Sequence, residues 1–271
     1  MLGLGNMMTG GAALEDAAFT PESINNIAVW LSWNTNMTAD QDSGGSSLSP
    51  EHSTTAGNMV NGDRINAWNA AGSTSVNATQ DISGDKPRWS TTSGELGGAF
   101  SANNNKHMDL SSTITFAANT DFTIVIRFRA NDFGGARVFL GHTTDEFVRL
   151  DDENSIRFKT DGTTSDVNSG TDLVADKDTT LIIVRSDGST GNVNMFVRGK
   201  DSGYFDGTAT GTAFGSEFQD TEEIVVSNIM ASADNTNEFD GTFKDVIIYN
   251  GTAVTSAQRE QIFDYLEAQE D

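Results

Sequence analysis

At 271 residues with 39 acidic against 16 basic side chains, the chain carries a formal charge of −23 at neutral pH. Such a field repels phosphate backbones and excludes nucleic acid as a partner, and the lack of any cysteine excludes disulfides, zinc–thiolate centres and cysteine nucleophiles. Only 36% of the residues are hydrophobic and 27 are glycine, the make-up of a turn-rich all-β protein with enough Ile, Val, Leu and Phe for one core.

The chain opens with MLGLGNMMTGGAALEDAAF, an apolar stretch with no Lys or Arg ahead of it, unlike a secretory signal. Residues 1–18 are read as a docking arm, with Met1, Leu2, Leu4, Met7, Met8 and Leu14 as its contacts to neighbouring subunits of an assembly. In FTPESINNIAVWLSW, Pro21 suits a first helical turn capped by Thr20. A short helix or turn over Glu22–Asn26 and a strand over Ile27–Trp33 follow from this. Residues 34–63 are polar and broken by Gly-Gly, Ser-Pro and Asn-Gly, which predicts a long surface loop inserted in a single domain spanning 19–271.

Order returns after 63. RINAWNAAG and NATQDISGDKPRW read as short strands around a Gly/Ser turn, and ELGGAFSANNNKHMDL as another pair. In FTIVIRFRA, Phe122, Ile124, Ile126 and Phe128 share one face while Thr123, Val125, Arg127 and Arg129 share the other, a period-2 pattern with one buried side. RVFLG, EFVRL, SIRFKT, TLIIVRS, VNMFVRG and EIVVSNI follow, each bounded by Gly, Asp, Asn or Ser. Asp187-Gly188 and Gly191-Asn192 supply turn chemistry for a hairpin between two of them. Strands at such short intervals with no helices between them predict an antiparallel sandwich. In FDGTFKDVIIYNGTAVTSAQREQIFDYL, Phe243 and Val246 to Tyr249 are apolar on both faces, as in a strand covered on both sides. Asn250-Gly251 then turns the chain, and Thr255 with Gln258 forms a capping box. Ile262 and Leu266 lie four apart on one face of the helix that follows, which is expected to lie as a lid over an end or edge of the sandwich.

Four of these segments resemble the laminin-G-like, concanavalin A-like lectin/glucanase family. FTPESINNIAVWLSW looks like its opening, INAWNAAGSTSVNATQ with KPRW like its Trp-Asn segment, IIVRSDGSTGNVNMFVRG like its Tyr-Val-Asn-Gly hairpin, and FDGTFKDVIIYNGTAVTSAQREQIFDYL like its closing strand and helix. Ser32-Trp33 and Asn69-Ala70-Ala71 lack the acidic residues usual in the family at those places. The resemblance implies a jelly-roll sandwich of two antiparallel sheets, a fold that hosts lectins, glycosidases, adhesion modules and structural proteins alike.

The residues themselves carry little chemistry. Glycosidases of this fold set carboxylates at alternate positions of one strand, whereas Asp145, Glu146, Asp151, Asp152 and Glu153 in DEFVRLDDENSI have no such spacing. Asp151, Asp152 and Asn154 read as a hairpin tip and are the candidate calcium ligands, calcium being the one cofactor considered and none being required. His52, His107 and His142 are scattered, and no Gly-x-Ser-x-Gly elbow is present. Trp30 and Trp68 match structural positions of the family, which leaves Trp33 and Trp89 as candidates to stack on a sugar ring. No run approaches the roughly 20 apolar residues of a membrane span.

The expected role is a non-enzymatic structural protein on the exposed surface of a virion. Bacteriophage particles commonly use the resembled fold for capsid decorations and tail fibres, and the acidic, cysteine-free chain fits that setting. The alternative is a carbohydrate-binding adhesion module for cell-surface glycans.

Overall fold

The computed structural model describes residues 18–33, 37–41, 49–54, 61–90, 97–100, 106–118, 120–133, 137–142, 147–152, 155–160, 163–168, 173, 175–186, 193–199, 209–210, 223–231 and 239–269. Thr20 and Pro21 open a single 3-10 turn, Pro21–Ser23, and a turn at 25–26 follows it, in line with the short helix or turn expected over Glu22–Asn26. Ser23 N donates to Thr20 O at 2.9 Å and Thr20 N to Ser23 Oγ at 3.2 Å.

The strands that follow are β1 (Ile27–Ser32), β2 (Met37–Gln41), β3 (Ser49–Thr54), β4 (Arg64–Trp68), β5 (Ala78–Thr79) and β6 (Arg88–Ser90). Next come β7 (Gly97–Phe100), β8 (Met108–Phe116), β9 (Phe122–Ala130), β10 (Arg137–Gly141), β11 (Phe147–Asp152) and β12 (Ser155–Thr160). β13 (Thr163–Asn168), β14 (Asp178–Arg185), β15 (Val193–Gly199), β16 (Ala209–Thr210), β17 (Ile224–Ile229) and β18 (Gly241–Asn250) complete the set.

All pairings are antiparallel and fall into two ladders. The first runs β16-β15-β14-β9-β18-β1, with β7 pairing on the start of β18 beyond β1. The second runs β3-β2-β4-β5-β8-β17-β10-β11-β12-β13. The ladders join at one corner, where β6 bridges β7 to β4. The result is the expected all-β sandwich.

Period-2 alternation explains the core. Phe122, Ile124, Ile126 and Phe128 of β9 point between the sheets, where they meet β8 and β10. The Phe116 and Phe122 rings lie 4.7 Å apart, and those of Phe128 and Phe139 4.6 Å apart. Phe239 and Phe243 complete this aromatic knot at 5.1 Å from each other. Gly241, where β18 begins, has φ +148°, and a Cβ there would lie 2.1 Å from the Arg129 carbonyl. Glycine is required for so close an approach of strands.

The opposite face of β9 is also buried, so the expectation of a single buried side was incomplete. The cause is the C-terminal helix α1 (Ser256–Ala268). Its box forms as the sequence indicates: Gln258 N donates to Thr255 Oγ1 at 3.3 Å and Thr255 N to Gln258 Oε1 at 2.9 Å. The helix lies on the outer face of the first sheet rather than over an end or edge. There Ile262, Phe263 and Leu266 form a second core with Val125, Ile182, Val184, Phe196, Ile247, Tyr249 and Trp30. The phenol of Tyr249 donates to Pro21 O at 3.0 Å, and burial pushes its pKa far above the usual tyrosine range.

Residues 34–63 are not simply a loop. They contain the β2–β3 hairpin, and β2 continues the second sheet from β4. Met37 and Ala39, two apart, turn inward and are buried in the core. The arm residues Met1, Leu2, Leu4, Met7, Met8 and Leu14 lie outside the described residues.

Candidate functional site: an open polar sheet face

The sandwich has two outer faces, and α1 closes the first. Among the described residues no element covers the second along β8. Along β8, Met108, Leu110, Ile114 and Phe116 are buried while Asp109, Ser111, Thr113 and Thr115 face solvent. Register extends this row sideways: Thr79 stands opposite Asp109 on β5, and Val225 opposite Thr115 on β17. Thr38 Oγ1 donates to Asn66 Oδ1 at 2.6 Å, and Ser111 Oγ accepts from Asn77 N at 3.0 Å. The face is thus built of short hydroxyl, amide and carboxylate groups already held in place.

Asp109 sits at its centre, with a side chain 55% exposed and 3.8 Å from the buried ring of His107. His107 Nε2 and Gln80 Nε2 lie 3.0 Å apart, which pins the imidazole from below. With its amide oriented to suit its neighbours, Asn228 donates to Asp109 Oδ1 at 3.2 Å. One carboxylate oxygen is therefore anchored while the group remains open to water. Such an array can donate to and accept from a polyhydroxylated ligand.

The same face also holds a histidine–serine contact. His142 Nδ1 lies 2.9 Å from Ser227 Oγ, within reach of a base and a nucleophile. Among the described residues no carboxylate is bonded to the His142 ring, the place a third group would take to orient such a base.

The tryptophans chosen as sugar platforms are core residues. Trp33 and Trp89 are only 7% and 2% exposed and pack in the inter-sheet cluster, so neither offers an open ring face. Trp30 and Trp68 are structural, as expected; Trp68 Nε1 donates to Ser32 O at 2.9 Å. Asp151 and Asp152 close β11, which pairs with β12 as the expected hairpin, while Asn154 and the two aspartate side chains lie outside the described residues. Among the described residues no group of three or more His, Asp or Glu could hold a metal ion.

The sequence reading passed over a buried ionic cluster beneath the C-terminal end of α1. Lys244 Nζ donates to Asp178 Oδ2 at 2.7 Å, and Arg127 Nη1 lies 3.5 Å from Asp245 Oδ2. Arg127 also donates to the Leu266 carbonyl at 2.7 Å, capping the helix. Burial pushes the Asp245 carboxyl above the usual carboxylate range, against the pull of Arg127. Burial likewise holds Lys244 below the usual lysine range, opposed by Asp178. The available signal was Lys-Asp inside the apolar run FKDVIIY, where charges on a fully covered strand must find partners.

No family model matches the chain. No curated protein matches it either. Among solved structures, it is similar to Domain 4 of the extracellular arabinanase AbnA from Geobacillus stearothermophilus, in complex with arabinotriose. The identity is 10% and the TM-score 0.42, over 86% of this chain and 96% of that one. It is similar to the enzymatically active domain of bacteriophage CBA120 tailspike protein 2 at 12% identity and TM-score 0.40, over 64% of this chain and 28% of that one. The Ruminococcus gnavus IT-sialidase CBM40 bound to sialyllactose gives 11% identity and TM-score 0.32, over 52% and 81%. The two-sheet assignment rests on the strand pairings above.

Proposed function

We propose that this chain is a non-enzymatic structural protein of a bacteriophage particle, a capsid decoration or tail component that docks through residues 1–18 and exposes its sandwich. The observation that carries this reading is the asymmetry of the two outer faces, one sealed by α1 and one presenting exposed polar side chains along β8. A rigid, doubly cored body with one presented face suits a module displayed on a surface. Mass spectrometry of purified particles is expected to find the chain in fixed copy number, and a chain lacking residues 1–18 is expected to be left out. Absence of the full chain from particles overturns the role; normal incorporation of the truncated chain overturns the docking arm.

A second reading, a carbohydrate-binding adhesion module, is favoured by the anchored but exposed Asp109. Asp109→Ala is expected to weaken glycan-array binding about tenfold or more, the worth of one hydrogen bond to a charged group. Binding that survives this change unaltered would place the ligand elsewhere.

A further inference from the structure

Lys244 and Asp178 are an unusual pair for a chain with so few basic residues. Their side chains are 2% and 9% exposed, and Nζ stands 2.7 Å from Oδ2. They come from β18 and β14, which flank β9 on either side, so the contact spans the central strand of the first sheet. The bulge between Phe243 and Asp245 places Lys244 where its side chain can cross β9. The second oxygen of Asp178, Oδ1, is buried without a hydrogen-bond partner. A third ionisable group, Asp245, is the next residue along β18 and is wholly buried.

We propose that Lys244 and Asp178 condense into an intramolecular isopeptide bond, with Asp245 as the proton relay. The Lys244 amine attacks Cγ of Asp178, the new Nζ–Cγ bond forms and one Cγ–O bond breaks. An ammonium and a carboxylate thereby become an amide and one water molecule, with no oxidant, reductant or other reactant required. Asp245, in its protonated form, gives its proton to the departing oxygen and is reprotonated by the attacking nitrogen as the amide forms.

Three physical features favour the step. Held nucleophile and carbonyl react with a high effective concentration. Burial depresses the lysine pKa and raises that of Asp245, which favours a neutral amine and a carboxyl able to donate. Excluding water favours the amide, and condensation removes two charges whose burial is costly. A chain without cysteine gains in this way a covalent staple, closing 66 residues, that an oxidising or reducing environment cannot open.

The test is the intact mass of the denatured chain, which needs no variant to fold. The wild-type protein is expected to fall short of its residue sum by one water, and a protease digest to contain a branched peptide joining Asp178 to Lys244. Asp178→Asn is expected to reach the same final mass as the wild type by losing ammonia instead, whereas Lys244→Arg and Asp178→Ala should show their full residue sums. A wild-type mass equal to the residue sum overturns the proposal. So does a branched peptide that joins any other two residues.

Discussion

Asp245→Ala is expected to lower folding stability by about 3–5 kcal/mol, because it removes the carboxyl group beside the buried Arg127 guanidinium. Asp245 is 0% exposed and Arg127 2%, so neither can turn to solvent when the other is removed. Replacing both, as Arg127→Met with Asp245→Leu, should recover most of that loss, since a buried pair exchanged for apolar groups is often near neutral. Recovery stays incomplete because Arg127 also ties down the Leu266 carbonyl at 2.7 Å. Urea unfolding of the three proteins, each with its intact mass measured, separates the ion pair from the cross-link. Equal stabilities for the single and double variants would sink the pairing argument.

The pH dependence has a defined sign. The folded pKa of Asp245 is raised above its ordinary 3.8, so its contribution is fully present below that value and is lost as pH rises through the folded pKa. The folded pKa of Lys244 is depressed below 10.5, so the unfolded state binds the extra proton between those two values. Stability therefore rises with pH across the Lys244 window. In a cross-linked chain Lys244 no longer titrates, and only the Asp245 branch remains.

Much of the fold is written in local patterns. Alternation in FTIVIRFRA and the Thr255–Gln258 box each act within a few residues, and both appear where the sequence puts them. What escapes is set by distant chain. Arg127 and Thr123 look solvent-facing because nothing within β9 announces a helix that arrives over 120 residues later; Thr123 Oγ1 in fact donates to Thr252 O, 129 residues on. β2 and β13 were missed because MTADQ and TTSDVN lack strong apolar alternation, and pairing with β4 and β12 supplies their order. The open face is half legible. The period-2 pattern of MDLSSTITF marks the strand, but its Ser and Thr look like ordinary solvent-facing filler until β5 and β17 line up beside it. Trp33 and Trp89 were misjudged for the converse reason: aromatic rings serve a core as well as a sugar, and neighbouring strands decide which.

Phe263→Ala should cost about 3–5 kcal/mol, the range for truncating a buried phenylalanine. The ring is 0% exposed at the centre of the second core, between Ile262 and Leu266 of the same helix face. Arg198 lies over it at 4.4 Å from the centroid and is itself held by Glu260 and by Asp264 at 3.1 Å, so the cavity has a charged lid that cannot collapse inward cheaply. The exposed end of that network is a useful contrast. Glu260 is 49% exposed, and Glu260→Ala should cost no more than about 1 kcal/mol. Thr255→Ala, which removes the cap, should fall between them at about 1–2 kcal/mol. The order of the three, read from denaturation midpoints, distinguishes a helix that seals a core from one that only decorates it. If Phe263→Ala cost no more than Thr255→Ala, α1 would not be closing the first sheet. If it costs the full amount, loosening of α1 uncovers Val125, Ile182 and Ile247 together, and the variant is expected to self-associate through that apolar face as it unfolds.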